Sequence, residues 1–112
     1  MVRVIALFGI VVLSAAGLVA RSGKSWTVEV NGTPLTGKEL YMRHCSSCHG
    51  RNGVPRHKGA RKLTDSDWQE RVSDERIFNV ISNGKGRMPG FSKKLSEADI
   101  DSLVQYVRGM RK

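Results

Sequence analysis

The segment Cys45-Ser46-Ser47-Cys48-His49 constrains this chain more than any other feature of the sequence. Two thiols three residues apart on one helical turn can both reach the vinyl groups along one edge of a porphyrin and form thioethers. The next residue, His49, then directs its imidazole at the iron from one face. The motif therefore predicts one covalently attached haem c, with Cys45 and Cys48 as the attachment points and His49 as an axial ligand.

The cysteine count and the length of the chain narrow the possible architectures. The chain has 112 residues, which is enough for one domain, and its two cysteines both lie in the motif. This excludes a four-cysteine zinc site, a scaffold of several disulfides and a second c-type haem. Aromatic residues make up only 6% of the sequence, so the protein alone offers a modest core. A bound porphyrin would supply the apolar bulk that a small domain needs.

The chain is strongly basic, with a formal net charge of +9 at pH 7. Such a charge favours nucleic acid, an anionic membrane or an acidic protein as the partner. The sequence has no nucleic-acid motif and no basic stretch interleaved with aromatic residues, so no nucleic-acid partner is expected. The basic residues crowd two predicted loops, 50–62 and 84–94, and form a set that we call the basic rim: Arg51, Arg56, Lys58, Arg61, Lys62, Lys85, Arg87, Lys93 and Lys94.

Residues 1–20 form a predicted targeting segment. Arg3 precedes an apolar run from Val4 to Leu13, and Ser14-Ala15-Ala16 resembles a small-residue cleavage site. The apolar stretch continues to Ala20, and a span of about 17 residues is the short limit for a membrane-crossing helix. A cleaved signal peptide and a retained anchor therefore both remain open. Either predicts an exported, periplasmic domain that is soluble or tethered to the inner membrane through residues 4–20.

An apolar residue followed by Ser or Thr, with acidic residues in the next turn, occurs four times and predicts four helix starts. The hydroxyl at each start can accept hydrogen bonds from free backbone N–H groups, and the flanking apolar pair can close over it. The starts are Thr36, Thr64, Ser73 and Ser96. The third helix is expected over about 74–82. The last is expected over about 97–110, because its apolar residues recur at helical spacing. The pattern indicates an all-α domain over 35–112.

Residues 21–34 are expected to be an extended lead-in to this domain. Within them, Trp26-Thr27-Val28-Glu29-Val30 alternates in polarity like a short strand, and it ends at the turn signal Asn31-Gly32. No partner strand is evident for it in the sequence.

Taken together, residues 36–110 resemble a class I mono-haem cytochrome c of the small bacterial type. Gly37 and Tyr41 lie eight and four residues before Cys45, respectively, on one face of the first helix. In that family, a glycine and an aromatic residue at these spacings meet the C-terminal helix at a close crossing, and here Leu103 and Tyr106 occupy the positions of their partners. The resemblance implies the cytochrome c fold, with about four helices wrapped around one covalently bound haem.

The resemblance also implies a second axial ligand. Met88-Pro89-Gly90-Phe91 lies between the last two predicted helices, and family members bring a methionine from such a loop to the open face of the iron. Pro89 restricts Met88 to an extended backbone, which helps to aim its side chain. An ordinary loop methionine remains the alternative, and His44 or His57 in its place would give a bis-histidine centre.

One feature departs from the family pattern. Members often carry a Pro-Leu pair after the haem motif, and the carbonyl of that proline accepts a hydrogen bond from the haem histidine. Here Leu63 follows Lys62, and Pro55 is the only proline nearby. The acceptor for His49 is therefore left open. Trp68 can either pack in the core or donate its indole N–H to a haem propionate.

The implied function is one-electron transfer between respiratory or dehydrogenase partners, without enzymatic activity. With His49 and Met88 on the two faces of the iron, no position remains for a substrate. The basic rim predicts docking onto an acidic-surfaced reductase, oxidase or dehydrogenase. Three alternatives remain: an electron-transfer subunit of a larger oxidoreductase, a haem sensor with an open iron, and a thiol–disulfide protein that uses Cys45 and Cys48.

Overall fold

The computed structural model describes residues 29–112, and within this part of the chain it shows one short hairpin and five helices. The predicted all-α class is confirmed. In chain order the elements are β1 Glu29–Val30, β2 Thr33–Pro34, α1 Gly37–His44, α2 Ser46–His49, α3 Ser66–Arg71, α4 Asp74–Asn83 and α5 Glu97–Arg108. The predicted targeting segment 1–20 and the lead-in up to residue 28 lie outside the described residues.

The hairpin corrects one expectation from the sequence. Glu29 pairs with Pro34 and Val30 pairs with Thr33 in an antiparallel arrangement. The connecting residues Asn31 and Gly32 both adopt positive φ, 55° and 76°, as a tight two-residue hairpin turn requires. The partner of the predicted strand is therefore the segment directly after the turn. Two residues are too few to show the alternation by which a strand is recognised in a sequence.

Three of the four predicted helix starts are correct, and one is wrong by a single residue. Thr36, Ser73 and Ser96 each accept a hydrogen bond from the backbone N–H three residues later. The first residue of α3 is instead preceded by Asp65, whose carboxylate accepts from the Trp68 amide at 3.1 Å. Aspartate caps a helix at least as well as threonine. Thr64 is buried, and its carbonyl accepts from the Lys112 amide.

The helix predicted to carry the haem motif divides at Cys45. The Ser46 hydroxyl donates to the Met42 carbonyl at 2.7 Å, at the position where a continuous helix would place the Ser46 amide. A serine side chain that competes with the backbone in this way interrupts or bends a helix. Cys45 has φ −118°, ends α1 and precedes α2. The motif therefore forms a separate turn, Ser46–His49, directly after α1.

The core lies where α1 crosses α5. A Cβ atom on Gly37 would lie 2.3 Å from the Ser102 carbonyl oxygen, so the two backbones are in contact at this point. The Tyr41 and Tyr106 rings pack with their centroids 5.1 Å apart, and Leu103 is fully buried beside them. The predicted contact between the first and last helices is confirmed. It fixes α1, and with α1 the start of the haem motif.

A second set of contacts ties α3 and α4 to the end of α5. Buried Gln69 donates to the carbonyls of Leu63 at 2.9 Å and Val107 at 2.8 Å. The Arg108 guanidinium donates to the carbonyls of Gln69 and Val72, and it pairs with the Asp74 carboxylate at 2.5 Å. Because these groups bridge three helices, they hold the segment after the haem motif against the core. Within residues 29–112, none of the helices has the length and apolar character needed to cross a membrane.

Candidate haem-binding site

The turn α2 places the three motif side chains on one short element. The His49 amide donates to the Cys45 carbonyl at 3.0 Å, which closes the turn between the first cysteine and the histidine. Cys45 is half-buried and Cys48 is exposed. The two attachment candidates and the histidine are therefore brought together, with one thiol at the core and the other at the surface.

The end of this turn is fixed from two sides. The buried Tyr41 hydroxyl donates to the Gly50 carbonyl at 2.6 Å. Gly50 has φ 77° and ψ 154°, a conformation restricted to glycine, and a Cβ atom there would lie 1.9 Å from the Val54 carbonyl oxygen. The chain folds back at this point, and the Arg56 amide donates to the Cys48 carbonyl at 2.9 Å. Burial raises the pKa of Tyr41 to about 12, with smaller effects of Cys45 and Tyr106, so its hydroxyl remains a donor.

The orientation of His49 is set by a backbone carbonyl. Its Nδ1 lies 2.9 Å from the carbonyl oxygen of Arg61. With Nδ1–H as the donor, the unprotonated Nε2 remains available to bind iron, and a second contact of this kind typically fixes the ring of a metal-binding histidine. Arg61 is held in place by the following segment, in which the Leu63 amide donates to Gly53 at 2.8 Å. A backbone carbonyl needs no proline, so the missing Pro-Leu pair does not remove the acceptor.

Met88 lies in a tight hairpin that we call the methionine turn, residues 85–88. The Lys85 amide donates to the Met88 carbonyl at 3.0 Å, and the Met88 amide donates to the Lys85 carbonyl at the same distance. Gly86, in the turn, has φ 58°. The backbone of Met88 is therefore fixed by two hydrogen bonds. Its side chain is half-buried and packs against the same hydrophobic core as Cys45.

The methionine turn is held against the end of α4 at two glycines. A Cβ atom on Gly84 would lie 2.5 Å from the Met88 carbonyl oxygen, and one on Gly90 would lie 2.7 Å from the Ser82 carbonyl oxygen. Just beyond, the Phe91 amide donates to the Ile81 carbonyl at 2.9 Å. Side chains at either glycine would separate the two backbones. This close approach places Met88 relative to the core.

The residues present fit a haem. Several apolar side chains contact the core yet remain only half-buried, which leaves apolar surface for a flat hydrophobic group: Met42, Trp68, Val72, Phe78 and Met88. Two thiols, an imidazole with one free nitrogen and a thioether supply the atoms that attach and ligate a haem c. The Arg61 guanidinium lies over the Trp68 ring, 5.9 Å from its centroid. Trp68 thus packs against the core, as one of its two sequence interpretations expected.

The electrostatics of the cysteines disfavour a thiol–disulfide protein. Burial, with a smaller effect of the neighbouring Cys48, raises the pKa of Cys45 to about 11. Catalytic redox cysteines work as thiolates and have lowered pKa values. The raised pKa leaves Cys45 without the thiolate character of such cysteines. A bis-histidine centre needs a second imidazole directed at the iron, and both other histidines make different contacts. His57 is exposed, with its Nδ1 3.0 Å from the Lys58 carbonyl oxygen. The His44 ring packs against Phe91.

Comparison with known proteins identifies the family. Residues 32–107 match the family described as cytochrome c oxidase, cbb3-type, subunit III. The chain belongs to this family of cytochrome c domains. This cytochrome domain is 32% identical over 90 residues to cytochrome c6 of Gloeothece citriformis, and the match covers 76% of this chain and 79% of that protein. It is 41% identical to the solved KustC0563 c-type cytochrome, with a TM-score of 0.67, covering 70% of this chain and all of that one.

Relatives of this cytochrome domain also include oxidase subunits. It is 36% identical over 73 residues to the cbb3-type cytochrome c oxidase subunit FixP of Azorhizobium caulinodans. The match covers 63% of this chain but only 25% of that subunit, so the chain spans about a quarter of the length of the oxidase subunits it matches. The predicted small mono-haem class I type is confirmed, and electron transfer through haem is the function of this family.

Proposed function

We propose that this cytochrome carries single electrons through one haem c, attached to Cys45 and Cys48 and ligated by His49 and Met88. The observation that carries the proposal is the fixed methionine turn: Met88 is held by two backbone hydrogen bonds and by the close approach at Gly84. A methionine so constrained is suited to occupy the second face of the iron permanently. With both faces occupied, neither a substrate nor a small gas molecule has an open position, which disfavours the sensor alternative.

The chain's own residues contribute rigidity to this centre. When bound, the haem supplies an iron that alternates between the ferrous and ferric states. His49 is oriented by the Arg61 carbonyl, and the motif turn is anchored by Tyr41 to the crossing of α1 and α5. Thioether ligation and the apolar wall favour the ferrous state, so a fairly high reduction potential is expected.

The optical spectrum tests the ligand assignment. The oxidised holoprotein should show a methionine–iron charge-transfer band, and Met88→Ala should abolish it. Met42→Ala is the matched control, because Met42 is also half-buried against the core but lies on α1; it should keep the band. Mass spectrometry of the peptide with both cysteines should show the mass increase of one haem. A band that survives Met88→Ala would disprove the assignment.

We further propose that the basic rim and Val54 form the docking surface for an acidic redox partner. Val54, in the first of the two loops, is 51% exposed and offers an apolar side chain among the basic residues of that loop. An apolar centre with a charged periphery is a common design for a protein interface, and the cations accelerate encounter with an acidic partner. The apolar residue and the basic loop lie next to the haem motif, so a partner bound there would approach the haem.

Ionic strength and single charge reversals test this docking surface. The bimolecular electron-transfer rate should fall roughly tenfold or more between low and high salt, because salt screens steering by charges. Lys58→Glu in the basic rim should lower the low-salt rate several-fold. Lys38→Glu makes the same change at an exposed position at the start of α1, outside the rim, and should have a much smaller effect. An electron-transfer rate that does not change with salt would contradict the proposed docking surface.

The oxidase relatives favour a second candidate, an electron-transfer subunit of a larger oxidoreductase. A mobile carrier gives a rate that rises in proportion to its concentration, whereas a resident subunit passes electrons at a rate independent of added protein. For either role we propose export to the periplasm, with residues 4–20 as a cleaved signal or as a membrane tether. The mass of the N-terminal peptide in the mature protein distinguishes these two fates.

A further inference from the structure

His44, the last residue of α1, is a half-buried histidine that the proposed haem site does not use. Its ring packs against Phe91, with the centroids 5.6 Å apart and the planes inclined by 60°. In the part of the chain that the structure describes, its Nε2 is buried without a hydrogen-bond partner. Such an atom is costly to bury, and the cost rises steeply when the ring carries a charge. The site is therefore built for the neutral imidazole.

Phe91 connects this histidine to the methionine turn. Phe91 is 6% exposed, its amide donates to the Ile81 carbonyl, and its own carbonyl accepts from the Lys94 and Leu95 amides. It follows Met88 by three residues, across the segment where Gly90 lies against the end of α4. Phe91 thus fixes the C-terminal side of the methionine turn, and His44 is one of the side chains that keep its ring in place.

We propose that His44 is a positioning residue for Met88: its neutral ring supports Phe91, and Phe91 holds the methionine turn in its place. The proposal rests on the His49 and Met88 ligation proposed above. The contact between His44 and Phe91 joins α1 to the loop before α5. It therefore links the helix that precedes Cys45 to the loop that contains Met88.

The charges around His44 oppose its protonation. Burial lowers the pKa of His44 below the ordinary value of 6.5, and the cations that face it, Arg43 on α1 and Lys94 in the loop after Phe91, lower it further. A state in which the ring reaches solvent would bind the proton at about the ordinary pKa. Falling pH below about 6.5 therefore favours that state, in which Phe91 loses its support and Met88 is released. Above this pH the turn is fully seated.

The test follows the methionine–iron band of the oxidised holoprotein from about pH 8 to about pH 4, the range in which histidines titrate. The wild-type band should weaken reversibly as the pH falls below 6.5. His44→Phe keeps an aromatic ring that cannot be protonated, and its band should not change with pH over this range. His57→Phe is the matched control at an exposed histidine, and it should keep the wild-type profile. These two are the only histidines of the chain besides His49.

Two results would overturn the proposal while leaving Met88 as the ligand: a wild-type band unchanged down to about pH 4, or an acid loss of equal size in His44→Phe. A wild-type band absent at every pH would instead contradict the ligation itself. His44→Ala gives an independent check that does not depend on fitting a larger ring. It should weaken the band already at about pH 8, with no further histidine-linked loss; a wild-type profile in this variant would also overturn the proposal.

Discussion

Gly84→Ala is expected to displace Met88 and to remove most of the methionine–iron band from the oxidised holoprotein. Gly84 has φ 78° and ψ 170°, a region that only glycine occupies readily, and a Cβ atom there would overlap the Met88 carbonyl oxygen at 2.5 Å. The backbone strain and the overlap together cost about 2–6 kcal/mol. Since about 1.4 kcal/mol is a tenfold change in an equilibrium constant, released methionine should dominate. The reduction potential should fall with it, because the thioether favours the ferrous iron.

Gly86→Ala is the matched control for this prediction. Gly86 lies in the same turn with φ 58°, but a Cβ atom there would meet no other atom within 4 Å. The variant carries only the cost of a left-handed backbone, about 1–2 kcal/mol, and it should keep more of the band than Gly84→Ala. Equal losses in the two variants would show that the close approach to α4 does not position Met88.

Gly37→Ala is expected to lower the free energy of unfolding of the holoprotein by about 2–4 kcal/mol. Alanine in place of glycine in a helix normally stabilises by up to about 1 kcal/mol. At Gly37 the new Cβ would lie 2.3 Å from the Ser102 carbonyl oxygen and 2.9 Å from its carbon, so α1 and α5 must separate. Denaturant unfolding followed by fluorescence or haem absorbance measures the loss.

Gly109→Ala provides the comparison for Gly37. Gly109, at the end of α5, has φ −66° and ψ −11°, and the nearest atom to an added Cβ would be the Tyr106 carbonyl oxygen at 3.4 Å. The same substitution there should change stability by no more than about 0.5 kcal/mol. If both variants unfold at the same denaturant concentration, the helix crossing tolerates a side chain and its proposed role is wrong.

Much of the fold was predictable because short-range patterns produced it. The Ser and Thr caps at Thr36, Ser73 and Ser96 identified three helix starts, since an N-cap depends on only four consecutive residues. The glycine and tyrosine of α1 indicated the crossing with α5 through the family resemblance. The prediction of helix boundaries failed where two side chains, or a side chain and the backbone, compete for the same hydrogen bond. Asp65 replaced Thr64 as the cap of α3, and the Ser46 hydroxyl divided the motif helix at Cys45.

Other parts of the candidate site could not be read from the sequence, because they depend on backbone groups far apart in the chain. The acceptor for His49 is a backbone carbonyl twelve residues later. Every residue type has such a carbonyl, so the side chain at position 61 gives no sign of this contact. The pairing of Gln69 with Leu63, Val107 and Arg108 joins residues up to 39 positions apart. The Asn-Gly pair signalled a turn but not a hairpin, because the two-residue strand after it carried no pattern of its own.

The sequence by itself predicted the chemistry, because the spacing of Cys45, Cys48 and His49 is that of a haem-attachment motif on one helical turn. It also determined where three of the helices begin. The tertiary structure alone decided how the site is held. The Tyr41 hydroxyl donates to the Gly50 carbonyl, and the Arg61 carbonyl accepts from His49. The methionine turn packs closely against the end of α4. The reason is that covalent and capping geometry is local, whereas the orientation of an imidazole and the position of a loop depend on backbone atoms that only folding brings together.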